Sequence, residues 1–127
     1  MAMNNNAINW FEIPAKDFER AKKFYSAIYD YEMPVMNMGP LTMGLFPHDM
    51  ESAGVGGAIT SGDGQVPSSD GIVIYLASGP DLQVVLDRVE AAGGKILQPK
   101  TEVSPEIGNI AFFTDTEGNR LGLHSNG

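Results

Sequence analysis

The chain has 127 residues, a length that suits one domain built around one core. Sixteen acidic residues against eight basic ones give a formal net charge of −8, so no basic surface is available to neutralise a phosphate backbone and nucleic acid is not an expected partner. The absence of cysteine excludes disulfides, thiolate metal sites and a cysteine nucleophile.

No apolar run approaches the roughly 18 residues that a membrane span needs. The opening MAMNNN carries neither the basic region nor the apolar stretch of a secretion signal. A cytoplasmic protein without membrane contact is the expectation. The acidity would favour a cationic ligand, although it serves solubility equally well.

Residues 1–6 read as a polar tail. AINWFEIP, residues 7–14, has apolar side chains on both faces and predicts a strand with helices on one side and an interior on the other. Alternation puts Trp10 and Glu12 on one face, and Phe11 and Ile13 on the other. Asp17 then suits the N-cap of FERAKKFYSAIYD, in which Phe18, Ala21, Phe24, Tyr25 and Ile28 recur at helical spacing.

Three extended pieces follow, EMPVMNM, LTMGLFP and GVGGAIT, separated by turn residues such as Gly39-Pro40. SGDGQVPSSD, residues 61–70, has no periodicity and predicts a linker. The order then repeats: a strand GIVIYLA, a helix PDLQVVLDRVEAAGG with Pro80 in its first turn, and the strands KILQ, GNIAFFT and NRLGLHS. Leu82, Val85, Leu86 and Val89 form that helix's apolar stripe, and Gly93 is suited to end it.

The reading is therefore α+β: two βαβββ modules, about 7–60 and 71–125, in one domain spanning 7–127. A repeat of about 60 residues is too long for a solenoid and predicts two sheets pairing into one curved surface. Each sheet has one helix on its outer face and nothing on its inner one. That inner face must be covered by the other module, a second subunit or a ligand.

WFEIPAKDFERAKKFYSAIYDYEM, DRVEAAGGKIL and FTDTEGNRLGL together resemble the glyoxalase/bleomycin-resistance/extradiol-dioxygenase group, the vicinal oxygen chelate superfamily. The resemblance runs over nearly the whole chain. It implies paired modules forming an open, cup-like barrel with the helices outside, and a homodimer. Metal enzymes of the family place one ligand on each of four inward strands. Here those places fall at Trp10, at Gly56 or Gly57, at Ile72 or Val73, and at Gly122. None of these side chains is a donor for zinc, iron or nickel, so no metal and no other cofactor is expected.

Arg120, Gly122 and His124 share one parity of the last strand and Leu121 and Leu123 the other, so the glycine is expected to leave room in the cup beside His124. Trp10, Glu12, Tyr75, Arg120 and His124 are the expected ligand-binding residues. Trp10 and Tyr75 would supply an aromatic wall. Glu12 and His124 are the candidate general acid and base, although Glu12 could equally accept hydrogen bonds from Arg120, His124 or a backbone amide.

Met36, Met38 and Met43 suit either an adaptable ligand wall or plain strand packing. His48, Asp49 and Glu51 are adjacent on a turn and read as a solvated loop rather than a metal cluster. The functional expectation is a small-molecule-binding protein with a concave pocket. Whether it is an enzyme stays open: the alternatives are a metal-independent lyase or isomerase acting on a small carbonyl compound, and sequestration of a cationic ligand in the manner of bleomycin resistance.

Overall fold

The computed structural model describes residues 7–48 and 54–127. The elements are β1 (Trp10–Pro14), α1 (Phe18–Tyr29), β2 (Val35–Met38), β3 (Leu41–Leu45), β4 (Gly56–Ser61), β5 (Tyr75–Ala77), α2 (Leu82–Val89), β6 (Lys95–Ser104), β7 (Gly108–Thr114) and β8 (Arg120–Ser125). The order strand, helix, three strands occurs twice, as the sequence pattern predicts. Each half forms one open four-stranded sheet, ordered β1-β4-β3-β2 and β5-β8-β7-β6. In both, the first strand pairs in parallel with the last, while the remaining pairs are antiparallel.

Helix α1 forms where its apolar positions coincide with a cap at each end. Asp17 accepts from the Arg20 backbone N–H at 3.1 Å, and Asp30 closes the helix in the left-handed region at φ 52°, a conformation that aspartate tolerates better than most residues. Ala21, Phe24, Tyr25 and Ile28 are buried on one face. In α2 the buried face is Leu82, Val85, Leu86 and Val89. The two stripes join Ile13, Ile59, Phe113, Leu121 and Leu123 in one core, so a single apolar layer lies between the helices and one face of both sheets.

Three boundaries differ from the sequence pattern. Helix α2 is shorter than residues 80–94, and its N-cap is Asp81, whose carboxylate accepts from the Gln83 N–H at 3.0 Å; Pro80 therefore precedes the cap instead of lying in the first turn. Strand β5 keeps only three residues, because its register with β8 runs from Tyr75↔Gly122 to Ala77↔His124. Strand β6 extends six residues past the predicted KILQ, to Ser104, with register shifts against β7.

The TDTEGNR segment is a structural clamp. Asp115 is buried and accepts from the Tyr25 hydroxyl at 2.7 Å, from the backbone N–H groups of Glu117 and Asn119 at 2.9 Å each, and from the Asn119 amide at 3.0 Å. Asn119 also donates to the Pro14 carbonyl at 2.7 Å. Glu117 holds Arg20 at 2.7 and 3.0 Å and accepts the Asp17 N–H at 2.7 Å. This turn thus ties the second half of the chain to the start of α1 and the end of β1.

Candidate functional site

Strand parity leaves one face of each sheet without a helix. On the first sheet, register places Trp10 opposite Gly56, Glu12 opposite Ala58 and Met36 opposite Met43. On the second, Tyr75 lies opposite Gly122, and Phe112 flanks that glycine from the other side. Trp10 and Tyr75 are 44% and 48% exposed, whereas Leu121 and Leu123, of opposite parity, are buried in the core. Large aromatic side chains left exposed on the uncovered side and aliphatic ones packed on the helix side are the two halves of the parity expectation.

Position 122 is not empty space. A Cβ built on Gly122 would lie 2.5 Å from the Tyr75 ring, and one built on Gly56 would lie 3.3 Å from Trp10 and 3.2 Å from His48. Each module therefore sets an aromatic residue of its first strand across a glycine of its last. The expected room beside His124 is filled by Tyr75, whose ring also meets Phe112 edge-on with centroids 5.6 Å apart.

Glu12 and His124 each have a partner of their own. Glu12 accepts from the Trp10 indole N–H at 3.2 Å and, among the described residues, not from Arg120, His124 or a backbone amide. Nε2 of His124 lies 2.6 Å from the Ile107 carbonyl, which accepts the proton this nitrogen carries. Glu12 and Arg120 line a common pocket of about 280 Å³. The Arg120 guanidinium lies 5.8 Å from the Phe112 ring centroid, within cation–π range.

A larger cavity, about 490 Å³, opens on the first sheet between Trp10, the methionines Met36, Met38 and Met43, and His48. Met36 and Met38 are exposed and line it, while Met43 is buried; the methionines thus serve both as cavity wall and as strand packing. His48 is not the solvated loop residue that its neighbours Asp49 and Glu51 suggest; those two lie outside the described residues. Nε2 of His48 and Nε of Arg120 are both shielded from water and have no hydrogen-bond partner among the described residues. Such orphaned nitrogens cost free energy unless a further group meets them.

The resemblance to metal enzymes implied ligand places at Trp10, Gly56 or Gly57, Ile72 or Val73, and Gly122. Register pairs Trp10 with Gly56 and Tyr75 with Gly122, so Tyr75 is the counterpart of Trp10 in the second sheet. With Tyr75 in place of Ile72 or Val73, the set is an indole, a phenol and two glycines. Zinc and its neighbours need three or four convergent imidazole, carboxylate or thiolate donors. These residues do not fit such an ion, and the described residues contain no group of three or more His, Cys, Asp or Glu that could hold one. No helix among them is long and apolar enough to cross a membrane.

Comparison with known proteins agrees with this architecture. A protein from Didymella fabae described as glyoxylase-like domain-containing is 31% identical over 122 residues, covering 88% of each chain. Among solved structures, a glyoxalase I variant from Zea mays superposes with a TM-score of 0.68 at 19% identity over 93% of this chain; the chain spans 46% of that protein. A glyoxalase/bleomycin resistance protein from Albidiferax ferrireducens gives 0.65 at 16% identity, covering 94% and 98% of the two chains. An antibiotic binding protein from a Streptomyces strain gives 0.57 at 20% identity, covering 98% of each. Residues 7–123 match the family itself, and the chain belongs to the Glyoxalase/Bleomycin resistance protein/Dioxygenase superfamily.

Proposed function

We propose that the protein binds a small organic molecule on the uncovered side of its sheets, without a metal ion. The observation that carries this reading is the 490 Å³ cavity beside Trp10, walled largely by Trp10, methionines and other apolar side chains. Apolar area holds the body of a ligand, and one or two convergent polar groups orient it. Trp10 forms part of that wall, and Glu12, Tyr75, Arg120 and His124 are the further residues we assign to ligand binding. The Streptomyces relative is an antibiotic binding protein, and capture without chemistry is the role we extend to this chain.

Assembly as a homodimer belongs to the same proposal, supported by Val66 and Ile72, 76% and 91% exposed on the segment between the halves. Sedimentation at micromolar concentration would read twice the chain mass, and a monomer would refute it. For binding, Trp10 is the only tryptophan, so its emission reports on the cavity wall directly. A panel of small aromatic, aldehyde and cationic compounds should contain members that change this emission and raise the melting temperature together, since a ligand of the native state stabilises it. A panel in which no compound does both would count against the function.

A further inference from the structure

We infer that Met36 and Met38 form an oxidation site through which hydroperoxides close the cavity beside Trp10 to apolar ligands. The closure rests on the small-molecule reading above; the oxidation does not. Register sets Met36 opposite Met43, Met43 opposite Thr60 and Thr60 opposite Pro14, and parity along β1 carries the same face from Pro14 back to Trp10. Met38 lies two residues from Met36 and shares that face, and both line the 490 Å³ cavity with Trp10. They are 46% and 56% exposed, whereas Met43 is 5% exposed and Met33 1%. A peroxide in solution therefore reaches two of these four thioethers and is kept from the other two.

The chain holds no cysteine, so no thiolate competes for the oxidant and the thioethers are the sulfur groups open to it. A sulfur lone pair attacks one peroxide oxygen, and the S–O bond forms as the O–O bond breaks. The transferred oxygen passes its proton to the departing one, which leaves hydrogen peroxide as water; sulfur loses two electrons and the peroxide gains them. The product is a polar side chain in place of an apolar one. Its oxygen would find few donors in the wall: the Trp10 N–H is engaged by Glu12 at 3.2 Å, the Tyr31 hydroxyl donates to the Leu45 carbonyl at 2.6 Å, and Nε2 of His48 is closed off from water. Solvent can hydrate a sulfoxide in the open cavity. An apolar ligand would displace that solvent and leave the oxygen unpaired, which opposes binding.

Treatment with hydrogen peroxide, followed by peptide mass mapping and titration with the neutral fluorophore N-phenyl-1-naphthylamine, tests this. Met36 and Met38 should each gain one oxygen about tenfold faster than Met33 and Met43, since oxidation follows exposure. The oxidised protein should keep its circular dichroism spectrum and bind the fluorophore about tenfold more weakly, the size expected of one buried polar group left unpaired. Methionine sulfoxide reductase with dithiothreitol should restore the affinity. The double substitution Met36→Leu/Met38→Leu retains Met1, Met3, Met33, Met43 and Met50, and its affinity should be the same before and after peroxide. Oxidation of Met33 or Met43 as fast as that of Met36 and Met38 overturns the site. Selective oxidation that leaves the affinity unchanged or unfolds the chain, or a doubly substituted protein that still loses affinity, overturns the closure while leaving small-molecule binding in place. Failure of the reduced protein to bind the fluorophore also overturns the closure, and Trp10 emission against the wider panel then decides the general function separately.

Discussion

Tyr25 in α1 donates its hydroxyl to Asp115 at 2.7 Å, across 90 residues of chain, and both groups are buried. Three other donors converge on the same carboxylate, which keeps it solvated by protein dipoles in place of water. Tyr25→Phe deletes one of four bonds and nothing of the ring packing, so it should cost about 1.5–3 kcal/mol, the range for a hydrogen bond to a charged group. Asp115→Ala should cost more, because four donors lose their acceptor. Urea denaturation of both variants checks the order; a Tyr25→Phe protein as stable as the parent would remove the clamp from the argument.

The partner carboxylate Glu117 gives this junction an acid limit. Burial alone would raise its pKa, but the Arg20 guanidinium, the Asp17 N–H and the Thr116 hydroxyl outweigh burial and hold it below the usual carboxylate range. A carboxyl whose pKa is depressed on folding contributes stability that is complete above the unfolded value and lost as pH falls through the folded one. Stability should therefore drop on acidification below the ordinary glutamate range, and Glu117→Gln should flatten that drop. Melting temperatures measured from neutral pH downward would show it.

At the alkaline end the tyrosines act in the opposite direction. Burial raises the pKa of Tyr29 to about 12, and burial with the nearby Asp115 charge raises that of Tyr25 well above normal; burial also raises Tyr31. Since these groups fold in the neutral form, their stabilising contribution is intact below the unfolded tyrosine value and fades as pH rises through the folded ones. Phenolate absorbance should lag behind that of an unfolded reference and then rise together with loss of structure. A titration curve matching free tyrosine throughout would contradict this.

Two glycines should respond differently to the same change. A Cβ at Gly57 would lie 2.2 Å from the Phe11 ring, and that ring is fixed against Phe46 with centroids 5.4 Å apart, so Gly57→Ala should cost about 1–3 kcal/mol through overpacking. At Gly122 the obstacle is Tyr75, which is half exposed and can swing outward. Gly122→Ala should cost less in stability than Gly57→Ala, and comparison of their denaturation midpoints is the check.

Metal analysis of the purified protein should find no stoichiometric transition metal. One zinc, iron or nickel per chain, retained through gel filtration, would overturn the metal-free proposal.

The fold could be read from the chain because its cues are local. The spacing of Ala21, Phe24, Tyr25 and Ile28, the aspartate ahead of it, and the parity of Leu121 and Leu123 each lie within a few residues of the structure they specify. The length of β5 was not legible, since it is set by how much of β8 runs beside it. The Trp10–Glu12 hydrogen bond joins same-face neighbours two residues apart and was within reach of the same parity argument. His48 was not: its ring meets Gly56 of β4 in a tertiary contact that no local cue around FPH specifies. The TDTEGNR turn was visible as a motif, but its partners Tyr25, Arg20 and Pro14 lie far upstream, so its clamping role emerged only in three dimensions.

Helix α1 receives hydrogen-bonding partners from the distant half of the polypeptide at both ends: Glu117 accepts the Asp17 N–H at its beginning, and Arg88 donates to the Ile28 carbonyl at 3.2 Å near its close. The tether between the halves is thereby relieved of holding them together. Scission of the backbone within the exposed Gly62-Asp63-Gly64 turn should yield two fragments that co-migrate under native conditions and part only in denaturant, with neither able to complete its own fold alone.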